Sequence, residues 1–357
     1  MRPSRSSRRD LLRAASGLAG LVAAGGLSGC SLVGGRDLPR RSDPAILNHV
    51  PERSVAAAHL DASALFEDEA LVGAIDSRLG LLAAAEDRVP ETTDAAIARV
   101  ADETGLDPRE LEDVLGIVIR PPPEADTGED GGRLDPLAQT YQAMLVRSGW
   151  APAAVATLLD RRADSVRTSQ YRGYEVLTGV REDEPFLSIG VRAGGEYVVG
   201  RRPGVEAVID VAAGDAAALD GQLATALAAA RPGPARVAVA PRLDADRASG
   251  FGDPVALLAG KVDLAYGSLY ADGDRRGTEI VLESGSGFDA EDVHESAESV
   301  LVLARAGQIL PGLEPILRRV EATRSDSTVT LRYEAPVGDV ATTLLSVIAG
   351  LILEERS

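Results

Sequence analysis

The sequence predicts an α+β fold, mainly antiparallel sheet packed with helices. Three observations predict it. Apolar residues recur with period 2 in some segments and with period 3.6 in others. The two kinds of segment follow one another in mixed order, not in strict β-α alternation. Neighbouring strand-like segments are joined by short Gly- and Asp-rich turns, at Gly194-Gly195 and within Asp272 to Gly277, as antiparallel hairpins require.

The elements follow in order. VPERSVAAAHLD (50–61) is a turn and then a short strand. LFEDEALVGAIDSRLGLLAAA (65–85) has helical spacing. Thr93 to Glu103 is helical too, with Ile97, Val100 and Ala101 on one face and Gly105 as the stop. In GLDPRELEDVLG (105–116), Asp107 suits an N-cap, Pro108 the first helical position and Glu110 the third; Leu106 and Leu111 can close a hydrophobic staple. That pattern predicts a helix, followed by a strand at IVIR (117–120) that ends at three prolines. EADTGEDGG (124–132) has no period and is expected to be a mobile loop. YQAMLVRSG (141–149) is a strand and APAAVATLLDRR (151–162) a helix that starts at Pro152. Two β segments lie around RGYEVLTGV and PFLSIGVRAGGEYVVG. PGVEAVIDVAAG (203–214) is a helix with Val205, Val208 and Ile209 on its core face.

The second half returns to the theme. ARVAVAP (235–241) is a strand and LAYGSLYADGDRRGTEIVLESG (264–285) a hairpin. DAEDVHESAESVLVLARAG (289–307) is a long helix with a stripe of Val293, Ala297, Val300, Leu301 and Ala304. STVTLRYE (327–334) alternates, with Val329, Leu331 and Tyr333 facing in. VATTLLSVIAGLIL (340–353) is too short to span a bilayer and suits a buried terminal helix. The expected organisation is therefore an α+β domain over 45–230 and a second α+β half over 233–357 packed on it, with the two halves similar in order.

The residues VPERSVAAAHLDASAL, TGLDPRELEDVLG, YRGYEVL and YVVGRRPGVEAVIDVAAGD resemble a family of exported α+β proteins of halophilic archaea. The resemblance covers about 50–215 and rests on turns, caps and core positions. It implies a fold and an address, and no activity.

The first thirty residues carry a separate signal. Arg2, Arg5, Arg8, Arg9 and Arg13 precede a short apolar run, Leu18 to Leu27, rich in Ala and Gly. A charged stretch, a short apolar stretch and small residues describe an export signal. Arg8 and Arg9, followed by Asp10-Leu11-Leu12, form the twin-arginine variant. Leu27, Ser28, Gly29 and Cys30 resemble a lipobox, in which Cys30 would be lipidated and the chain cut before it. Residues 1–29 are then the signal peptide, and 30–44 the lipidated Cys and a flexible tether. Cys30 is the single cysteine of the 357 residues, so its use as an anchor leaves no thiol for disulfides or metal ligation. The expected location is the outer face of the cell membrane, held there by lipid.

Charge points to the solvent. The chain has 37 Lys+Arg and 55 Asp+Glu, and removal of residues 1–29 takes away five Arg and one Asp, which leaves a net charge of −22. Lys261 is the single lysine. Such acid excess resembles proteins of extremely halophilic archaea, where molar salt shortens the Debye length to about 3 Å and screens the self-repulsion. The same charge argues against a nucleic-acid partner, since no basic stripe is present.

Candidate chemistry is sparse. His49 falls in the tether region, His59 two residues before Asp61, and His294 beside Glu291 and Glu298 at helical spacing. Glu291 and His294 copy half of a di-iron carboxylate pattern without its second half, so a solvated acidic helix face is the plainer reading. Asp272, Asp274, Gly277 and Glu283 mimic a calcium loop, but Arg276 stands where an oxygen ligand belongs and the flanks are strands. Ser284-Gly285-Ser286-Gly287 is not a nucleophile elbow, and no phosphate loop or dinucleotide fingerprint is present. Four Phe, seven Tyr and one Trp give little platform for sugars. No catalytic residue, metal site or cofactor is assigned. The sequence therefore predicts a non-enzymatic, membrane-anchored extracellular lipoprotein, an interaction or structural module whose partner is the membrane and another cell-surface protein. The alternatives are a solute-binding lipoprotein of a transporter and a secreted acid/base hydrolase.

Overall fold

The computed structural model describes residues 45–84, 89–120, 141–192, 194–240, 261–305 and 317–342. Among the described residues twelve strands form one antiparallel sheet, flanked by helices on both faces, so the fold is α+β. In chain order the strands are β1 (Ser54–Asp61), β2 (Leu111–Ile119), β3 (Tyr141–Ser148), β4 (Ser165–Tyr171), β5 (Tyr174–Arg181), β6 (Glu184–Arg192), β7 (Glu196–Gly200), β8 (Ala235–Val239), β9 (Val262–Asp272), β10 (Arg275–Ser284), β11 (Glu321–Ser325) and β12 (Thr328–Pro336). The helices are α1 (Ala62–Phe66), α2 (Glu69–Ala83), α3 (Thr93–Thr104), α4 (Pro152–Arg162), α5 (Arg202–Ala212), α6 (Gly221–Ala229) and α7 (Gly287–Arg305).

Across the sheet the order is β11-β12-β10-β9-β8-β1-β2-β3-β7-β6-β5-β4. The central pair is β1 with β8, in register from Ala56↔Val239 to Leu60↔Ala235. Outward from that pair the two sides have matching connectivity. Three consecutive strands form a meander, a helix follows (α4 or α7), and a hairpin returns to lay its last strand beside the third (β7 on β3, β12 on β10). The β4–β5 hairpin is extra on one side and forms that edge. The sheet runs unbroken through both sequence halves.

Cross-strand pairs define the two faces. The front carries His59, Leu115, Leu145, Val198 and Val176 along one rank. It is covered by α5, α6 and the 3-10 turn Ala45–His49, which bring Val205, Val208, Ile209, Leu227 and Ile46 into the largest core. Close contact here needs small residues. A Cβ on Gly190 would lie 2.9 Å from Ile209 Cδ1, and one on Gly204 2.9 Å from the Gln142 carbonyl oxygen, so α5 sits almost on the strands. The 45–49 turn is held by Val50, fully buried, whose carbonyl accepts from the Leu219 amide at 2.7 Å, and by a Pro51–Ala218 bridge.

The back face has separate cores. Helix α4 packs Val155 and Leu159 on Val146, Leu177, Ile189 and Tyr197. Helix α7 packs Val293 on Val262, Leu282 and Val329. A helical turn at 337–342 brings Ala341 onto Leu71 of α2.

Several local expectations hold. Helix α4 starts at Pro152; α5 buries Val205, Val208 and Ile209; Gly105 caps α3 at φ +77°; and Val293, Ala297 and Leu301 are buried on α7. Others change. The helix expected over 65–85 is broken into α1 and α2 at Glu67–Asp68. The capping pattern at Asp107 makes a single 3-10 turn, Pro108–Glu110, and strand β2 begins at Leu111. Asp107 Oδ1 still accepts from the Arg109 amide at 2.9 Å, but Leu111 to Ile119 pairs with β1 and β3, and that pairing prevails over a helix. Strand β4 and helix α6 were not foreseen. The expected loop at 124–132 and most of the expected terminal helix at 340–353 lie outside the described residues.

Candidate functional site

A polar arrangement crosses one rank of the front face. Register places Asp61, Asp113, Arg147, Glu196 and Arg192 side by side on β1, β2, β3, β7 and β6. From Asp113 onward the signs alternate, so each of these four charges stands beside at least one of opposite sign. Asp61 turns away to cap α1, accepting from the Ala64 amide at 2.9 Å.

Asp113 is the buried centre of one end. Its Oδ1 lies 2.8 Å from His59 Nε2, and its Oδ2 accepts from Arg147 Nη2. Arg147 Nε faces Glu112 Oε2 at 3.2 Å. Burial alone would raise the Asp113 carboxyl; the hydrogen bonds from His59 and Arg147 overcome it and hold the group below the usual carboxylate range. Glu196 is the centre of the other end. It receives Tyr174 Oη at 2.9 Å, His49 Nδ1 at 3.5 Å and Arg192 Nη1 at 3.7 Å. His49 foremost, then Tyr174, holds the Glu196 carboxyl low against its burial. Burial and the neighbouring Glu196 push the Tyr174 hydroxyl up to about 12.

Between the two ends lies a half-open pocket of about 160 Å³, lined by Ile46, His49, Leu145, Arg147, Arg192 and Glu196. Its floor is aliphatic and its rim carries two guanidinium groups and one carboxylate. Chemically it can meet a small ligand with both charges, but each rim charge already has a partner inside the protein. His59 and Asp113 form a base–orienter pair with no hydroxyl or thiol bonded to the imidazole in the described structure. Among the described residues, no group of three His, Cys, Asp or Glu could hold a metal ion.

The residues singled out from sequence are placed as follows. Arg8, Arg9, Leu27, Ser28, Gly29 and Cys30 lie outside the described residues. His49, placed in the tether by sequence, ends the 3-10 turn Ala45–His49 and faces Glu196. Glu291 pairs with Arg324 at 2.9 Å. The calcium-like spacing resolves into a tight turn at Gly273-Asp274, and Asp272 and Glu283 sit at opposite ends of the hairpin. Asp113, Arg147, Glu196 and Arg192 were not foreseen as a group, because only the strand register makes them neighbours.

No protein-family model matches the chain, and no curated protein matches it in sequence. Among solved structures it is similar to three crystal forms of TP0453. Form III aligns at 9% identity and a TM-score of 0.44, covering 85% of this chain and 98% of that one. Form I gives 10% and 0.40 over 85% and 97%, and form IV 9% and 0.41 over 84% and 95%. At these values the likeness carries no argument about fold or function.

Proposed function

We propose that the chain is exported by the twin-arginine route, lipidated on Cys30, and held at the outer face of the membrane as a non-enzymatic interaction or structural module. The acidic, lysine-poor composition suits an organism of high salt. One observation carries the module reading over solute binding and catalysis: the charges around the pocket satisfy one another. Arg147 is held by Asp113 and Glu112, and Glu196 by His49, Tyr174 and Arg192. Groups so engaged brace a sheet, whereas a ligand would have to displace them. The broad sheet then serves as a rigid surface at the end of a short tether.

Fractionation in a halophilic archaeal host tests the address. Wild-type chain is expected with membranes, Cys30→Ser in the medium, and the Arg8→Lys/Arg9→Lys pair inside the cell. Unchanged membrane association of Cys30→Ser overturns the anchor. The pocket supports a second reading, a binder of small zwitterionic solutes. A thermal-shift screen with amino acids, sugars, nucleotides and peptides in molar salt separates the two: a ligand at 100 times its Kd adds about 2.7 kcal/mol, and such a hit displaces the module reading.

A further inference from the structure

We infer that the chain pairs with a second copy of itself through strand β4, extending the sheet across a two-fold axis. Strand β4, Ser165–Tyr171, is one edge of the sheet and pairs as a strand only with β5 among the described residues, while its Tyr171 hydroxyl donates to Asp210 of α5 at 2.9 Å. Its outer row of backbone groups is a template for another strand. Natural edges are blunted with Lys, Pro, bulges or inward charges. Strand β4 has none of the first three: its sequence is SVRTSQY, and its seven residues pair with β5 without a register shift. Its residues are suited to extended structure, with Val166, Thr168 and Tyr171 among them. The opposite edge differs. Strand β11 has five residues, EATRS, and Arg324 on it is tied to Glu291 of α7 at 2.9 Å.

Charge identifies the occupant. The chain is strongly acidic, so two copies repel over most of their surface. Strand β4 carries no acid and one base, Arg167. In an antiparallel pairing centred on Thr168, Arg167 faces Ser169 of the second copy, Val166 faces Gln170, and Ser165 faces Tyr171. No like charges stand directly opposite, the two Arg167 side chains being diagonal neighbours, and all seven residues are used. A two-fold contact needs such self-complementarity.

The geometry also agrees with one membrane surface. Antiparallel pairing of β4 with itself places equivalent side chains on the same face, so the two-fold axis is perpendicular to the sheet. Both copies then present the front face, with the 45–49 turn that follows the tether, on the same side. The pairing does not depend on the anchor, and its test is made without lipid.

The test uses the full chain with Cys30→Ser, at the lowest salt that keeps it folded by circular dichroism. Velocity sedimentation is expected to give a dimer over the micromolar range. Thr168 is exposed and lies on the axis, so Thr168→Lys and Thr168→Glu each oppose like charges. Each should weaken the dimer about tenfold, the size of one like-charge contact at intermediate dielectric, and an equimolar mixture of the two should restore it. Thr168→Cys, then the single thiol, should cross-link on mild oxidation, whereas Thr323→Cys on β11 should not. A monomeric parent, a dimer indifferent to both charges, a loss that mixing fails to restore, or equal cross-linking at the two edges overturns the proposal.

Discussion

Asp68 and Arg276, 208 positions apart, form a buried ion pair. Arg276 Nη2 donates to Asp68 Oδ1 at 3.1 Å, and the two side chains are 0% and 4% exposed. Arg276 Nη1 donates to the carbonyls of Gly273 and Arg275, both at 3.0 Å, which locks the side chain against its own turn. The pair ties the residue just before α2 to the β9–β10 hairpin. It joins a helix from one sequence half to a turn from the other. Burial pushes the Arg276 guanidinium down to about 10, and raises the Asp68 carboxyl against the pull of Arg276.

Removal of one partner should therefore cost more than removal of both. Asp68→Leu strands a buried guanidinium and Arg276→Met a buried carboxyl, and each alone should cost about 3–5 kcal/mol. Asp68→Leu with Arg276→Met should recover most of it, because an apolar pair of similar volume avoids the desolvation. Denaturant unfolding of the two single variants and the double variant gives the coupling. A double variant as weak as the sum of the singles contradicts this account.

Acid should release the charged rank from the Asp113 end. Its carboxyl is held below the usual range in the fold, so its contribution is present above the unfolded value near 3.8 and is lost as pH falls through the folded one. Asp113→Asn should lower stability at neutral pH, and its deficit should shrink at the acid end. Melting curves of wild type and variant at stepped pH check the convergence.

Tyr174 offers an optical probe of the other end. Its hydroxyl is pushed up to about 12, by burial first and then by Glu196. Glu196→Gln removes the charge and keeps the shape. An absorbance titration of tyrosinate should show one group moving toward the ordinary value near 10, and no movement would detach Tyr174 from Glu196.

Gly277 should tolerate no side chain. Tyr270 lies over it so closely that a Cβ would stand 2.1 Å from the ring carbon Cζ. The same ring is fixed from other directions, with Arg231 3.6 Å from its centroid and Arg332 Nε donating to its hydroxyl at 2.8 Å. Gly277→Ala should cost roughly 1–3 kcal/mol through overpacking, and Gly277→Ala with Tyr270→Ala should not add a second full penalty. Thermal unfolding of the three variants decides it.

Legibility in the sequence followed the strength of local pattern. Helix α5 was readable because Pro203 opens it, Gly214 follows it and Val205, Val208 and Ile209 mark one face. Strand β4 was not, since SVRTSQY at an edge needs no apolar face, and neither was α6, whose GQLATALAA has apolar residues all round. At Asp107 the local signal for a helix was genuine but was outweighed by pairing on both sides of β2. The charged rank was invisible for a different reason. Asp113, Arg147, Glu196 and Arg192 become neighbours only through register, and register is a property of several strands at once. Arg276 follows the same logic: in a hairpin of alternating residues it reads as a solvent-facing base, and only the distant Asp68 gives it a reason to be buried.

The turn at 45–49 has a mechanical consequence. The chain does not pass from its N-terminal segment straight into β1. It first runs antiparallel beside residues 217–219, where the Leu219 amide donates to the Val50 carbonyl, the Glu52 amide donates to the Ala217 carbonyl, and Pro51 bridges Ala218. A tug from upstream of residue 45 is thus taken up by that clamp and by the valine seated beneath it. The central β1–β8 pair is shielded from the load until the clamp lets go.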